Sequence, residues 1–209
     1  MKSTVLKKIT LLLVVISIIL GTPAWTQSIN VSKGKAPLID GNCAKSEWHD
    51  ATHLPLGANI ILHIKKNSDY VFIAIEANNP TDSIPYVSLY ISVPDDGIVD
   101  LHSSGRLGER VADDTGNYPD WAKVFPNDSW FNHIGWTSNY GWFKCRPSDC
   151  STMKFARSKE FQIDRSKFKG NEWKLFIYSN FKQGGQWKAE EYPHGAKNNK
   201  ADDWLVLKL

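Results

Sequence analysis

Apolar residues recurring at period two, with no sustained apolar stripe of period 3.6, make strand patterns dominant in this chain. Ile60, Leu62 and Ile64 alternate with Ile61, His63 and Lys65, and Val71, Ile73 and Ile75 follow the turn residues Asn67-Ser68-Asp69. That pattern predicts a hairpin, because strand side chains repeat on one face every second residue. Val87, Leu89, Ile91 and Val93 alternate with Ser88, Tyr90 and Ser92 before the turn Pro94-Asp95-Asp96-Gly97. Phe161 and Ile163, then Trp173, Leu175 and Ile177, and finally Leu205, Leu207 and Leu209 mark further strands. The best helical stretch is short, Ala44–Ala51, with Trp48 and Ala51 on one side. Many short strands with turns between them predict an all-β fold, a two-sheet antiparallel β-sandwich of jelly-roll type with one short helix. Residues 94–152 are the least strand-like and read as a long aromatic-rich loop insertion on that scaffold.

The first 27 residues read as an export signal. Lys2, Lys7 and Lys8 precede the apolar run Ile9–Leu20, and Gly21-Thr22-Pro23-Ala24 supplies the small-residue region. Cleavage is expected between Ala24 and Ser28, which makes the product secreted or periplasmic; an uncleaved anchor is the alternative. Residues 28–209 then form a single domain, with no internal repeat or linker-like composition and no second apolar span. The net charge is +3, and three positive charges lie in the signal. The remainder is near neutral and has no basic block, so it lacks the electrostatic footprint of nucleic-acid binding.

Residues 118–143 concentrate aromatic rings: Tyr118, Trp121, Phe125, Trp130, Phe131, Trp136, Tyr140, Trp142 and Phe143. They are interleaved with Asn, Asp, Gly, Ser, Thr and Pro instead of aliphatic residues. In an exported protein, flat rings framed by amides and hydroxyls suit a sugar, whose C–H face stacks while its hydroxyls hydrogen-bond. Trp121, Trp130, Trp136 and Trp142 are the stacking candidates, with Tyr140 as an amphipathic neighbour. The segment Trp130–Thr137, which contains Asn132, mixes rings and polar groups most densely. The same rings have a second reading, as a satellite core beneath the loop.

Asp100, His102, Ser104 and Arg106 occupy alternate positions and share a side if residues 98–106 are extended. His102 and Arg106 are therefore candidate ligand-orienting groups, the guanidinium as a planar donor fork. Asp95, Asp96 and Asp100 supply oxygen ligands of the kind calcium takes, although ordinary turn chemistry accounts for acids there equally well. Cys145 and Cys150 are close enough to read as a disulfide clamping a turn in an exported chain. Cys43 is left over and reads as a buried thiol, because no partner stands at metal-ligand spacing. The acidic doublets and the serines lack the arrangement that glycoside hydrolysis or a nucleophile elbow requires. The chain therefore reads as non-catalytic.

Pro37-Leu38-Ile39-Asp40-Gly41, followed by Glu47-Trp48 and Ala51, resembles the opening motif of family 9 carbohydrate-binding modules and their DOMON-like relatives. The hairpin Asn59–Ala77 is similar to that family's next two strands. Glu160–Asp164, Phe168 and Trp173-Lys174-Leu175 are similar to its late strand, turn and strand. The resemblance implies a β-sandwich that places Trp48 in the core, and a carbohydrate partner held by stacked tryptophans, in some members with calcium. DOMON-like relatives bind haem instead, for which Met153 and several histidines are available. Residues 98–152 match no ligand-binding pattern of the family, so the fold transfers more directly than the ligand. An envelope interaction or structural protein, with its tryptophans in a satellite core or a protein contact, is the alternative from a different class.

Overall fold

The period-two runs become strands whose apolar sides meet in one core. A computed structural model describes residues 27–79, 81–94, 97–124, 131–132 (backbone only), 134–139 and 156–209. The elements are β1 (Ser28–Asn30), β2 (Ser32–Lys33), α1 (Lys45–Trp48), β3 (Thr52–Pro55), β4 (Ile60–Lys66), β5 (Tyr70–Ala77) and β6 (Ser83–Val93). They continue as β7 (Gly97–Ser103), β8 (Leu107–Val111), α2 (Trp121–Val124), β9 (Phe131–Asn132), β10 (Trp136–Ser138) and β11 (Ser158–Asp164). The last are β12 (Glu172–Gln183), β13 (Gln186–Tyr192) and β14 (Leu205–Lys208).

The larger sheet has the order β1-β14-β12-β6-β7-β8-β9, with β13 also paired to β12. The smaller has the order β10-β11-β5-β4-β2, with β3 also paired to β4. Ile60, Leu62 and Ile64 of β4 and Val71, Ile73 and Ile75 of β5 point inward from the smaller sheet. They meet Val87, Leu89, Ile91, Leu101, Leu175, Ile177 and Leu207 of the larger in a single buried cluster. The all-β sandwich expected from the alternation is the observed architecture.

Three details differ from that expectation. The sheets are mixed, because β1 with β14, β2 with β4, and β8 with β9 pair in parallel. A second helical turn, α2, is present among the described residues. Residues 97–111 are not loop: they form the β7–β8 hairpin of the larger sheet. Val99, Leu101 and Leu107 of that hairpin face the core while Asp100 and His102 face outward, and this is a strand alternation. Residues 1–26, the bulk of the expected signal, lie outside the described residues. No described helix is long and apolar enough to cross a membrane.

Residues 34–51 form a strap across the outer face of the smaller sheet. Cys43, Trp48 and Ala51 of the strap pack on Phe72 and Ala74 of β5. The buried carboxylate of Glu160 accepts the N–H groups of Asp40, Gly41 and Cys43 at 2.9, 2.8 and 2.7 Å. Lys65 is buried as well; its ammonium donates to Asp50 at 2.8 Å and to the Glu47 carbonyl, and lies 5.1 Å from the Trp48 ring centroid. Trp48 is only 1% exposed, but it is buried in this outer cluster and not in the core between the two sheets. Cys43 is a free, buried thiol, as expected.

Candidate functional site

The outer face of the larger sheet carries the aromatic and polar groups that alternate with the core residues. On β6 these are Tyr86, Ser88 and Tyr90; on β7, Asp100 and His102; on β8, Arg110; on β12, Phe176, Tyr178 and Asn180. Strand register sets them in rows. Tyr178 lies opposite Ser88, Ser88 opposite His102, and His102 opposite Gly108. Gly108 in turn pairs with Asn132, so β9 continues the row at the sheet edge.

Four rings form a chain along this face. Tyr178 meets Tyr86 edge-on at 5.6 Å between centroids, Tyr86 meets His102 at 4.6 Å, and His102 meets Trp121 at 5.0 Å. Tyr86, Tyr178 and Trp121 are half-buried, which leaves part of each ring accessible. Polar groups thread between them. The Tyr86 hydroxyl lies 3.4 Å from Ser88 Oγ, which lies 3.4 Å from His102 Nδ1, while His102 Nε2 contacts Ser104 Oγ at 2.9 Å. The two long members of this series are weak hydrogen bonds, and both run through the fully buried Ser88.

Trp121 reaches the sheet through a locally determined turn. The Asp120 carboxylate accepts the Ala122 N–H at 2.9 Å and so starts the single turn of α2. Just upstream, Asp113 Oδ1 accepts from the N–H groups of Thr115 and Asn117, both at 2.9 Å, and shapes the loop before Tyr118. Arg110 joins this segment to the sheet. Its Nε donates to buried Asp100 at 2.8 Å, its Nη1 donates to the Pro119 carbonyl at 3.2 Å, and its guanidinium lies 4.2 Å from the Trp121 centroid and 4.9 Å from that of Tyr118.

The face is electrically quiet. Burial, reinforced by Arg110 and Lys159, pulls the His102 imidazole from its ordinary 6.5 down to about 4, so it is neutral at physiological pH. Burial pushes the Tyr86 phenol up to about 12. Burial also raises the Asp100 carboxyl, against the downward pull of Arg110. Arg110 is itself matched by that acid.

His102 and Trp121, both expected as site residues from the sequence, are thus brought into contact. Arg106 sits in the β7–β8 turn, where its N–H donates to Ser104 Oγ at 3.3 Å. Trp136 is a correction. It is 5% exposed, belongs to the core cluster, stacks on Phe161 at 6.0 Å and donates its Nε1–H to Glu109 at 2.8 Å. The inward register of β10 over β11 encloses it, so it offers no open face for stacking. Asp100 is also corrected. It is fully buried on β7 and ion-paired with Arg110, so its carboxylate is already engaged. Asp95, Asp96, Trp130, Tyr140, Trp142, Cys145, Cys150 and Met153 lie outside the described residues, as does the side chain of Asn132.

Tyr86, Tyr178 and Arg110 were missed. Tyr86 carries the signal that would have found it, since it precedes Ser88 and Tyr90 at the same two-residue interval on the polar side of β6. The models of protein families, the curated proteins and the solved structures with which the chain was compared contain no match to it.

Proposed function

We propose that this chain is an exported, non-catalytic carbohydrate-binding domain that receives its ligand on the outer face of the larger sheet. The observation that carries the reading is the chain of rings from Tyr178 through Tyr86 and buried His102 to Trp121, in which the two tyrosines and the indole are half-buried. Rings supply stacking surface for sugar C–H faces, and half-buried Ser104 and Asn180 supply donors and acceptors for hydroxyls. Neutral His102 and the matched Arg110–Asp100 pair favour an uncharged polyol over an ion. Of the aromatic segment, Trp121 takes part in this platform, whereas Trp136 is buried. The resemblance of the Asp40-Gly41 and Glu47-Trp48 motif to family 9 carbohydrate-binding modules supports the same ligand class.

The test is a glycan array probed with the mature protein, with and without a chelator. Trp121→Ala and Tyr178→Ala should each weaken retention roughly tenfold, from loss of about 1.4 kcal/mol of ring contact, with cooperative melting preserved. Unchanged retention in both variants would refute the assignment.

A further inference from the structure

A second cluster lies on the opposite sheet, where the strap crosses β4 and β5. Register sets His63 opposite Ala74 and Ile61 opposite Glu76, so His63 and Glu76 are diagonal neighbours on the outer face. Cys43 reaches them from the strap. Its φ is 47°, in the left-handed region that residues other than glycine seldom occupy, and Glu160 holds that conformation by accepting its N–H at 2.7 Å. The Cys43 sulfur, a His63 ring nitrogen and a Glu76 oxygen all lie within 4.8 Å of one another. They border a cavity of about 590 Å³ that Trp48, His49 and Arg157 also line.

We propose that Cys43, His63 and Glu76 form a binding site for a zinc-class divalent metal ion, with a fourth coordination position open to this cavity. The donor set selects the metal: a thiolate and an imidazole suit zinc and its neighbours, whereas calcium and magnesium take oxygen ligands. A tetrahedral shell at Zn–N and Zn–S lengths of about 2.0–2.3 Å separates its donors by about 3.5 Å, so the Cys43 sulfur, within 4.8 Å of both partners, draws in while the 2.9 Å His63–Glu76 pair opens by roughly 0.5 Å. A thiolate and a carboxylate together balance the dication.

Surrounding groups already hold two of the ligands. Glu76 Oε1 accepts from Arg157 Nη2 at 2.8 Å, and His63 Nδ1 lies 2.6 Å from His53 Nδ1. His63 Nε2, 2.9 Å from Glu76 Oε2, is therefore the nitrogen available to the ion. With the ion on Nε2, His63 carries its proton on Nδ1 and donates it to His53 Nδ1, which fixes the tautomer and the ring plane as supporting hydrogen bonds do at zinc sites. His53 then carries its own proton on Nε2. The histidine pair keeps its proton count, and the proton of the Cys43 thiol goes to solvent as the sulfur–metal bond forms. No oxidant or reductant is required.

The experiment titrates untagged, chelator-stripped mature protein with Co²⁺. One equivalent should bind, with an ultraviolet thiolate-to-cobalt charge-transfer band that Zn²⁺ abolishes. The band should persist in the double variant Cys145→Ser/Cys150→Ser and vanish in Cys43→Ser. His63→Gln should weaken Zn²⁺ at least tenfold, and His53→Gln tenfold or more with the band retained. Stoichiometric Zn²⁺ should raise the melting temperature of the wild type, which reads the site even if Cys43→Ser does not fold. A wild type without the band and without the melting shift overturns the proposal. So does a band that follows Cys145 and Cys150, or a His63→Gln variant that binds Zn²⁺ like the wild type.

Discussion

Replacing Glu160 by Ala removes the carboxylate that anchors the backbone of the strap at Asp40–Cys43 to the smaller sheet. Three backbone N–H groups lose their acceptor, two of them buried (Gly41 and Cys43) and one part-buried (Asp40). Each buried orphan costs about 1–3 kcal/mol and the part-buried donor less, for a gross loss of about 4–5 kcal/mol. Against this stands the burial of the carboxylate itself, which raises its pKa and whose relief offsets part of the loss. The expected net destabilisation is about 3 kcal/mol, read by urea unfolding at neutral pH. The effect is local as well as global. With the Cys43 turn released from its left-handed conformation, the thiol should react faster with a disulfide reagent, measured with Cys145 and Cys150 replaced by Ser. Glu160→Gln should recover little, because its amide turns N–H groups toward N–H groups on one side. A loss below about 1 kcal/mol together with unchanged thiol reactivity would refute the anchoring role.

Other consequences are equally open to measurement. Arg110→Ala leaves the fully buried Asp100 unpaired and should destabilise the fold by about 3–5 kcal/mol in urea; Arg110→Lys should recover only part of this, since the ring stacking and the fork geometry are lost. His102 has its folded pKa depressed from 6.5 to about 4, so below pH 6.5 the unfolded chain takes up a proton that the folded chain refuses. Its contribution is thus present above 6.5 and lost as pH falls toward about 4, by up to about 3 kcal/mol. His102→Gln should flatten stability against pH in that window, and an identical slope in the variant contradicts the assignment. Trp136→Ala should cost about 3–5 kcal/mol of stability as a core truncation. In Trp136→Phe, glycan retention should be nearly unchanged, and its selective loss would return Trp136 to the ligand surface.

The hairpin β4–β5 and the strand β6 were legible in the sequence because one face of each is wholly apolar, so the alternation is unbroken. The β7–β8 hairpin was obscured by Gly105 and Gly108 and by short inward runs such as Val99 and Leu101. The parallel pairings carry no local signal, since they join strands distant in the chain, such as β1 and β14. Half of the candidate site was visible: His102 and Trp121 stood out as a polar ring and a loop indole. Tyr86 and Tyr178 read as ordinary strand residues, because nothing local says that two strands place them edge to edge. The Cys43 cluster was missed for a related reason. Its partners lie on β4 and β5 and become neighbours through cross-strand register, whereas a search for ligand spacing looks along one segment. Trp136 misled because its neighbours in the chain are polar, although its own position in β10 points inward.

The most direct test of ligand binding on the larger sheet follows the histidine ring protons by NMR while a glycan retained on the array is added. The account predicts that the His102 resonances shift and saturate with the binding isotherm, and that those of His53 and His63, on the other sheet, stay in place. Binding that leaves His102 unmoved, or that shifts His53 and His63 instead, would contradict it.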